Sequence, residues 1–173
     1  YIISKGITHL VDATHPFAAQ MSQNAILACQ KTNIPLAALT RPQWQKQKAD
    51  NWHLVPDIKA AAAALDGDPK RVMLAIGRMH LAQFYNNLQH FYLLRLVDRP
   101  EVPPAFPNQV IEVSRGPFTT AQDTLLLSKY KIDLIVAKNA GGKAAYAKIE
   151  AARQLEIKAV SYTHLTLPTI FRV

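Results

Sequence analysis

Leu134-Ile135-Val136-Ala137-Lys138-Asn139-Ala140-Gly141-Gly142-Lys143 is the stretch that decides the fold. Four apolar residues run into a lysine and a glycine pair, after which Ala145, Ile149, Ala152 and Leu155 recur at helical spacing. A short apolar strand, a tight turn and an amphipathic helix form the repeating unit of a parallel sheet. Similar strand-like runs occupy residues 9–11, 36–39, 72–76, 92–97 and 110–113, and a last strand is expected near Ala159 and Val160. Helical spacing recurs between several of them, in Phe17, Met21, Ala25 and Ala28 and in Leu81, Phe84, Tyr85 and Leu88. Short, almost wholly apolar strands alternating with helices predict an α/β fold, with mainly parallel sheets covered on both faces.

Punctuation supports this reading. Asp57 caps a helix expected to run through the alanines to Leu65, and Thr120 with Asp123 resembles a shortened capping box ahead of Leu125. Residues 41–51 break the rhythm, being polar with only Trp44 to bury, and are read as a linker between domains 1–45 and 46–160. Residues 99–108 hold Pro100, Pro103, Pro104 and Pro107 and are expected to form a long loop. Residues 161–173 do not continue the pattern and are read as a non-native tail; the start at Tyr1 reads as a cut from a longer chain.

Composition excludes several classes. The 173 residues are 49% hydrophobic and 18% charged, too apolar for a disordered chain. The lone Cys29 excludes an intrachain disulfide and argues against a cysteine metal site. No apolar run is long enough to span a membrane, and no signal peptide is recognisable, so a reducing, cytoplasmic setting and a monomer are expected. The formal charge of +8 comes from dispersed rather than striped basic residues, which disfavours nucleic acid as a partner.

In an open parallel sheet, ligands bind beyond the carboxyl ends of the strands. Five of the six strand ends carry a cation within three residues: Arg41, Arg78, Arg99, Arg115 and Lys138. Arginine's planar fork grips carboxylate or phosphate with two prongs, so an anionic ligand is expected, with Arg78, Arg115 and Lys138 converging on one cleft. Gly141-Gly142 opens a helix between Lys138 and Lys143, where backbone N–H groups can approach an anion. The spacing is neither that of a P-loop nor that of a dinucleotide fingerprint, and a plain turn remains the alternative. Gly116, next to Arg115 and before Pro117, makes a second such turn.

Asp12-Ala13-Thr14-His15-Pro16 is the most reactive-looking stretch. Asp12 and His15 can serve as an acid/base pair; the alternative is that Asp12 or Thr14 caps the next helix, with Pro16 in its first turn. His53, His80 and His90 lack metal-ligand spacing and are expected at the surface or at caps, with His9 half-buried in a strand. No metal site is expected.

Six motifs in order carry a family resemblance: residues 11–18 (from Val11 to Ala18), Leu39-Thr40-Arg41-Pro42 with Trp44, Ala75-Ile76-Gly77-Arg78, Arg95-Leu96-Val97-Asp98 with Pro100, Arg115-Gly116-Pro117-Phe118, and Lys138-Asn139-Ala140-Gly141-Gly142 leading to Tyr146-Ala147-Lys148. From about Gly6 to Val160 the chain resembles the precorrin-6A and cobalt-precorrin-6A reductase family of cobalamin biosynthesis. The resemblance implies two Rossmann-like lobes, the first incomplete here, and NADPH-dependent reduction of a double bond in an anionic tetrapyrrole-derived macrocycle. It further implies cofactor contacts at Thr14, His15, Arg115, Gly116, Lys138, Asn139, Gly141 and Gly142. Substrate contacts are implied at Arg41, Arg78, Arg95 and Lys148, and proton handling at His15, Asp12 or Tyr146. The chain departs from the family at Ala140, where serine is usual, and it lacks the family's opening nucleotide-supporting turn, so the 173 residues by themselves are expected to bind NADPH poorly and to be inactive. A non-catalytic anion- or nucleotide-binding module, or a different nicotinamide reductase, remains the alternative.

Overall fold

A computed structural model describes residues 1–143 and 145–163. These form two compact units, Tyr1–Pro42 and Gln43–Thr163. The expected tail falls largely on residues 164–173, outside the described residues.

The first unit is a strand–helix–strand arrangement of β1 (Leu10–Asp12), α1 (Ala19–Thr32) and β2 (Leu36–Ala38). The strands are parallel, with Leu10 opposite Leu36 and Asp12 opposite Ala38. Ile26 and Cys29 of α1 pack with Leu36, flanked by Leu10, Ala25 and Ile34. The buried stripe of α1 is Ser22, Ile26 and Cys29, one residue on from the stripe that the spacing predicts, and Met21 is exposed. The helix starts at Ala19 without a side-chain cap, so neither Asp12 nor Thr14 caps it. It ends on Asn33 in the left-handed region (φ 54°), a conformation that asparagine tolerates. His9 lies just ahead of β1 and is exposed, not half-buried.

The second unit is a six-stranded, all-parallel sheet made of β3 (Trp52–Val55), β4 (Arg71–Ala75), β5 (Phe91–Leu96), β6 (Gln109–Val113), β7 (Leu134–Lys138) and β8 (Lys158–Tyr162). Their order is β3-β8-β7-β4-β5-β6. From β4 the chain steps outward through β5 and β6, then crosses back to lay β7 on the other side of β4. The inner strands are buried on both faces: Val72, Met73, Leu74, Leu93, Leu94, Ile135 and Val136 are all fully enclosed. Because side chains alternate, Met73, Leu93 and Ile135 meet Leu127 and Ile149 on one face, while Val72, Leu74 and Leu94 point to the other.

Helices α2 (Ile58–Ala63), α3 (Thr120–Lys129) and α4 (Ala147–Gln154) connect the strands. Asp57 caps α2 by accepting from the Ala60 N–H. The capping box of α3 is Thr119 with Gln122, one residue earlier than expected, which leaves Asp123 free for another task. The apolar spacing around Leu81 produces a 3-10 helix, Arg78–Phe84, rather than an α-helix. Residues 99–108 form the expected loop, with no helix or strand.

The division between the two units falls at Pro42 and Gln43, inside the stretch expected to hold a domain boundary, and from Gln43 the chain belongs to the second unit, with Trp44 and Asp50 buried. One expectation about the histidines changes. His90 is wholly buried, not a surface residue. Its Nδ1 accepts from the Lys70 N–H at 3.0 Å and its Nε2 lies 2.7 Å from the Leu65 carbonyl, as a neutral ring requires. Burial lowers its pKa and favours that neutral form.

Candidate functional site

In this sheet β4 is where the strand order reverses, so a ligand site is expected beyond its carboxyl end. A cavity of about 470 Å³ opens there, running across the ends of β4, β5 and β6 to the start of α4. Gly77 leaves β4 at φ 83°, ψ 152°, backbone angles that favour glycine, and turns the chain into the 3-10 helix that places Arg78 on the cavity rim. Arg95, Gly116, Phe118 and Lys148 line the interior.

Arg95 is an inward residue of β5 and only 9% exposed. Asp123, buried in the first turn of α3, accepts from both of its terminal nitrogens, one of them at 3.4 Å. The Phe118 ring lies against the guanidinium, its centroid 4.3 Å from Cζ. These contacts fix the guanidinium plane, yet its buried Nε has no acceptor among the described residues. An unmet donor of this kind, in a cavity wall, is where an anionic oxygen gains most.

Lys148 enters from α4 and is 7% exposed. Its ammonium donates to the Ala145 carbonyl and stands 5.1 Å from the centre of the Trp44 ring. Burial, reinforced by the Arg95 charge, pulls its pKa down to about 8, and Asp123 opposes the shift. Two buried cations thus lie in the field of one carboxylate, whose oxygens both bind Arg95.

The other expected residues sit elsewhere. Arg115 lies outside the cavity lining, exposed and 2.6 Å from Asp98. Lys138 is half-buried at the end of β7, with its pKa lowered by burial, and is also outside the lining. Arg78, Arg115 and Lys138 therefore do not meet in this cavity; Arg78 shares it with Arg95 and Lys148. Asn139 grips the backbone of Trp44, accepting its N–H at 2.8 Å and donating to its carbonyl at 3.0 Å. The Trp44 indole donates to the Gly142 carbonyl at 2.7 Å. Gly141 and Gly142 both have positive φ, 68° and 70°, which is what the turn requires. The Tyr146 hydroxyl accepts from Arg153 at 2.6 Å, and Arg153 in turn binds Asp50. Asn139, Gly142 and Tyr146 thus anchor residues 43–51.

In the first unit, Asp12 accepts from the Thr14 N–H at 3.0 Å and from its hydroxyl at 2.6 Å, and Thr14 reaches Ser22 at 3.4 Å. Burial by itself raises the carboxyl pKa; hydrogen bonds from Ser22 and Thr14 outweigh it, so the net shift is downward. Asp12 is held ionised, a poor proton donor near neutrality. His15 is exposed, with Nδ1 accepting from the Phe17 N–H at 3.2 Å. Arg41 is exposed. Asp123 is the residue that the sequence reading assigned to a different role. Its signal was its place on the buried face of α3, four residues before Leu127.

Among the described residues no cluster of His, Cys, Asp or Glu could hold a metal ion, and no helix is long and apolar enough to cross a membrane.

A family model described as precorrin-6x reductase CbiJ/CobK matches residues 1–165. The precorrin-6A reductase of Rhodobacter capsulatus is 49% identical over 168 residues, covering 97% of this chain and 67% of the relative. That of a Sinorhizobium species is 44% identical, covering 92% of this chain and 61% of the relative. The cobalt-precorrin-6A reductase of Priestia megaterium is 32% identical, covering 90% and 64%. A solved structure of CobK precorrin-6A reductase superposes with a TM-score of 0.93 at 48% identity, covering 98% of this chain and 69% of that one. The chain spans roughly two thirds of the length of these relatives.

Proposed function

The chain belongs to the precorrin-6x reductase CbiJ/CobK family, oxidoreductases of cobalamin biosynthesis, and from that premise we propose that it serves the NADPH-dependent reduction of one double bond in the precorrin-6A macrocycle. The observation that carries this reading is the cationic wall of the cavity, where Arg95, paired with Asp123, and Lys148, without an ion pair among the described residues, are both buried. The acetate and propionate arms of such a macrocycle suit it. A cobalt-free substrate is favoured because the relatives at 49% and 44% identity are precorrin-6A reductases, and the cobalt-precorrin relative stands at 32%.

The donor set also fits phosphate oxygens. NADPH, when bound, supplies a hydride to a ring carbon, so the protein's task is to orient two large anions and handle a proton. We assign substrate carboxylates to Arg78, Arg95 and Lys148 in the second unit and to Arg41 in the first. Thr14, His15, Arg115, Lys138 and the backbone at Gly116, Gly141 and Gly142 are assigned to the cofactor. Asn139 acts by fixing Trp44. With Asp12 held ionised, His15, Tyr146 or water is left to deliver the proton. Each lobe reads as Rossmann-like, and the lone buried Cys29 suits a reducing cytoplasm. Loss of NADPH absorbance on addition of precorrin-6A to the full-length parent protein is the expected result; unchanged absorbance contradicts the reading.

A further inference from the structure

Lys148 is a buried ammonium without a carboxylate of its own. Its hydrogen bond goes to the Ala145 carbonyl, a neutral acceptor. The nearest acid, Asp123, is engaged by both terminal nitrogens of Arg95. The charged groups facing this place are Arg95 from β5, Asp123 from α3, and Arg78 and Asp98 on the cavity rim. Trp44 contributes only its ring face. Among the described residues, no acid forms an ion pair with Lys148. A buried amine next to a fixed guanidinium is driven toward its neutral form, and an arriving anion reverses that preference. The cavity is therefore built so that its charge depends on its occupant.

We propose that, at mildly alkaline pH, the cavity at the ends of β4, β5 and β6 takes an anionic oxygen group together with a proton, which is captured on Lys148. Arg95, oriented by Asp123, supplies the permanent charge, including the unmet Nε donor. Lys148 supplies the conditional one. Asp123 is a positioning residue: it fixes the Arg95 plane and helps keep Lys148 protonated. This inference rests on the assignment of Arg95 and Lys148 to ligand anions made above, and adds that binding is coupled to protonation. The anion can be a carboxylate of the substrate or a phosphate of the cofactor.

Calorimetric titration of the 173-residue chain with uroporphyrin, a tetrapyrrole polycarboxylate, and separately with NADPH tests this. Each titration is run at pH 8.5 in two buffers of different ionisation enthalpy, and affinities are followed from pH 7 to 9.5. For the ligand whose group enters the cavity, the expected result is net proton uptake and an affinity that falls at least about tenfold across that range. Uptake with uroporphyrin assigns the site to a substrate carboxylate; uptake with NADPH assigns it to a cofactor phosphate. Lys148→Met removes the uptake and flattens the pH profile, and Asp123→Asn moves the fall to lower pH. Binding without proton uptake, uptake that survives in Lys148→Met, or failure of wild type to bind either ligand overturns the proposal. Proton-coupled binding in a chain whose full-length parent leaves precorrin-6A unreduced overturns the reductase reading alone.

Discussion

Helix α4 contributes to two buried polar clusters that are completed in different ways. In one, Asp50 accepts from Arg153 Nε at 2.7 Å, from its terminal nitrogen at 3.4 Å and from the Gln47 N–H at 2.7 Å, while Arg153 also donates to Tyr146. One acid meets one base, and Arg153 keeps a partly solvated edge, its side chain 20% exposed. In the other, Asp123 is engaged by Arg95 alone, Lys148 has no ion pair among the described residues, and the Arg95 Nε remains unmet there. The first cluster is internally balanced and holds residues 43–51 against the sheet. The second has surplus positive charge facing a cavity. Satisfaction, rather than burial or charge, separates a polar cluster that supports the fold from one prepared for a ligand.

Removing Asp123 breaks the contrast most severely. Asp123→Ala leaves two buried cations with no counter-charge, and a loss of about 3–5 kcal/mol is expected in urea unfolding. Lys148→Met sharpens the contrast in the opposite direction. Lys148 titrates at about 8 in the folded chain against an ordinary 10.5, so between those values the unfolded chain holds the extra proton. Wild type is accordingly less stable than Lys148→Met by up to about 3 kcal/mol below pH 8, and the gap closes as pH rises toward 10.5. A gap that stays constant with pH contradicts the buried, unpaired ammonium.

In the balanced cluster, Asp50→Ala strands the Gln47 N–H but leaves Arg153 its solvated edge. The expected loss is about 2 kcal/mol in the same assay, smaller than for Asp123→Ala. A loss equal to or above that of Asp123→Ala would remove the distinction. The smallest effect belongs to Arg115→Ala: its pair with Asp98 is about 70% exposed on both sides, so thermal stability should be unchanged within error.

The inner strands were legible in the amino-acid order because β4, β5 and β7 are buried on both faces and therefore read as unbroken apolar runs. Strand β3 was not. Among the described residues it is an edge strand pairing only with β8, and His53 and Leu54 face solvent, so Trp52 and Val55 alone carry its apolar signal. The attachment of residues 43–51 was hidden for a related reason: it depends on single side chains, Trp44 and Asp50, meeting partners about a hundred positions away. At the candidate site, counting cations near strand ends points to Arg78, and the motifs point to Arg95 and Lys148, which line the cavity. Proximity along the chain carries no direction, so the same count groups Arg78 with Arg115 and Lys138, which lie outside this lining. Asp123 was hidden because a short acid near a helix start reads first as a cap, a role that Thr119 performs.

The central claim is that unbalanced charge marks the ligand site and balanced charge marks the scaffold. Its most direct test is the dissociation constant, at pH 7, for whichever of uroporphyrin and NADPH binds wild type with proton uptake, measured on Lys148→Met and Asp50→Ala side by side. The expected result is affinity weakened at least about tenfold in Lys148→Met despite its higher stability, and changed less than about twofold in the less stable Asp50→Ala. Equal losses in the two variants, or loss only in Asp50→Ala, would contradict the account.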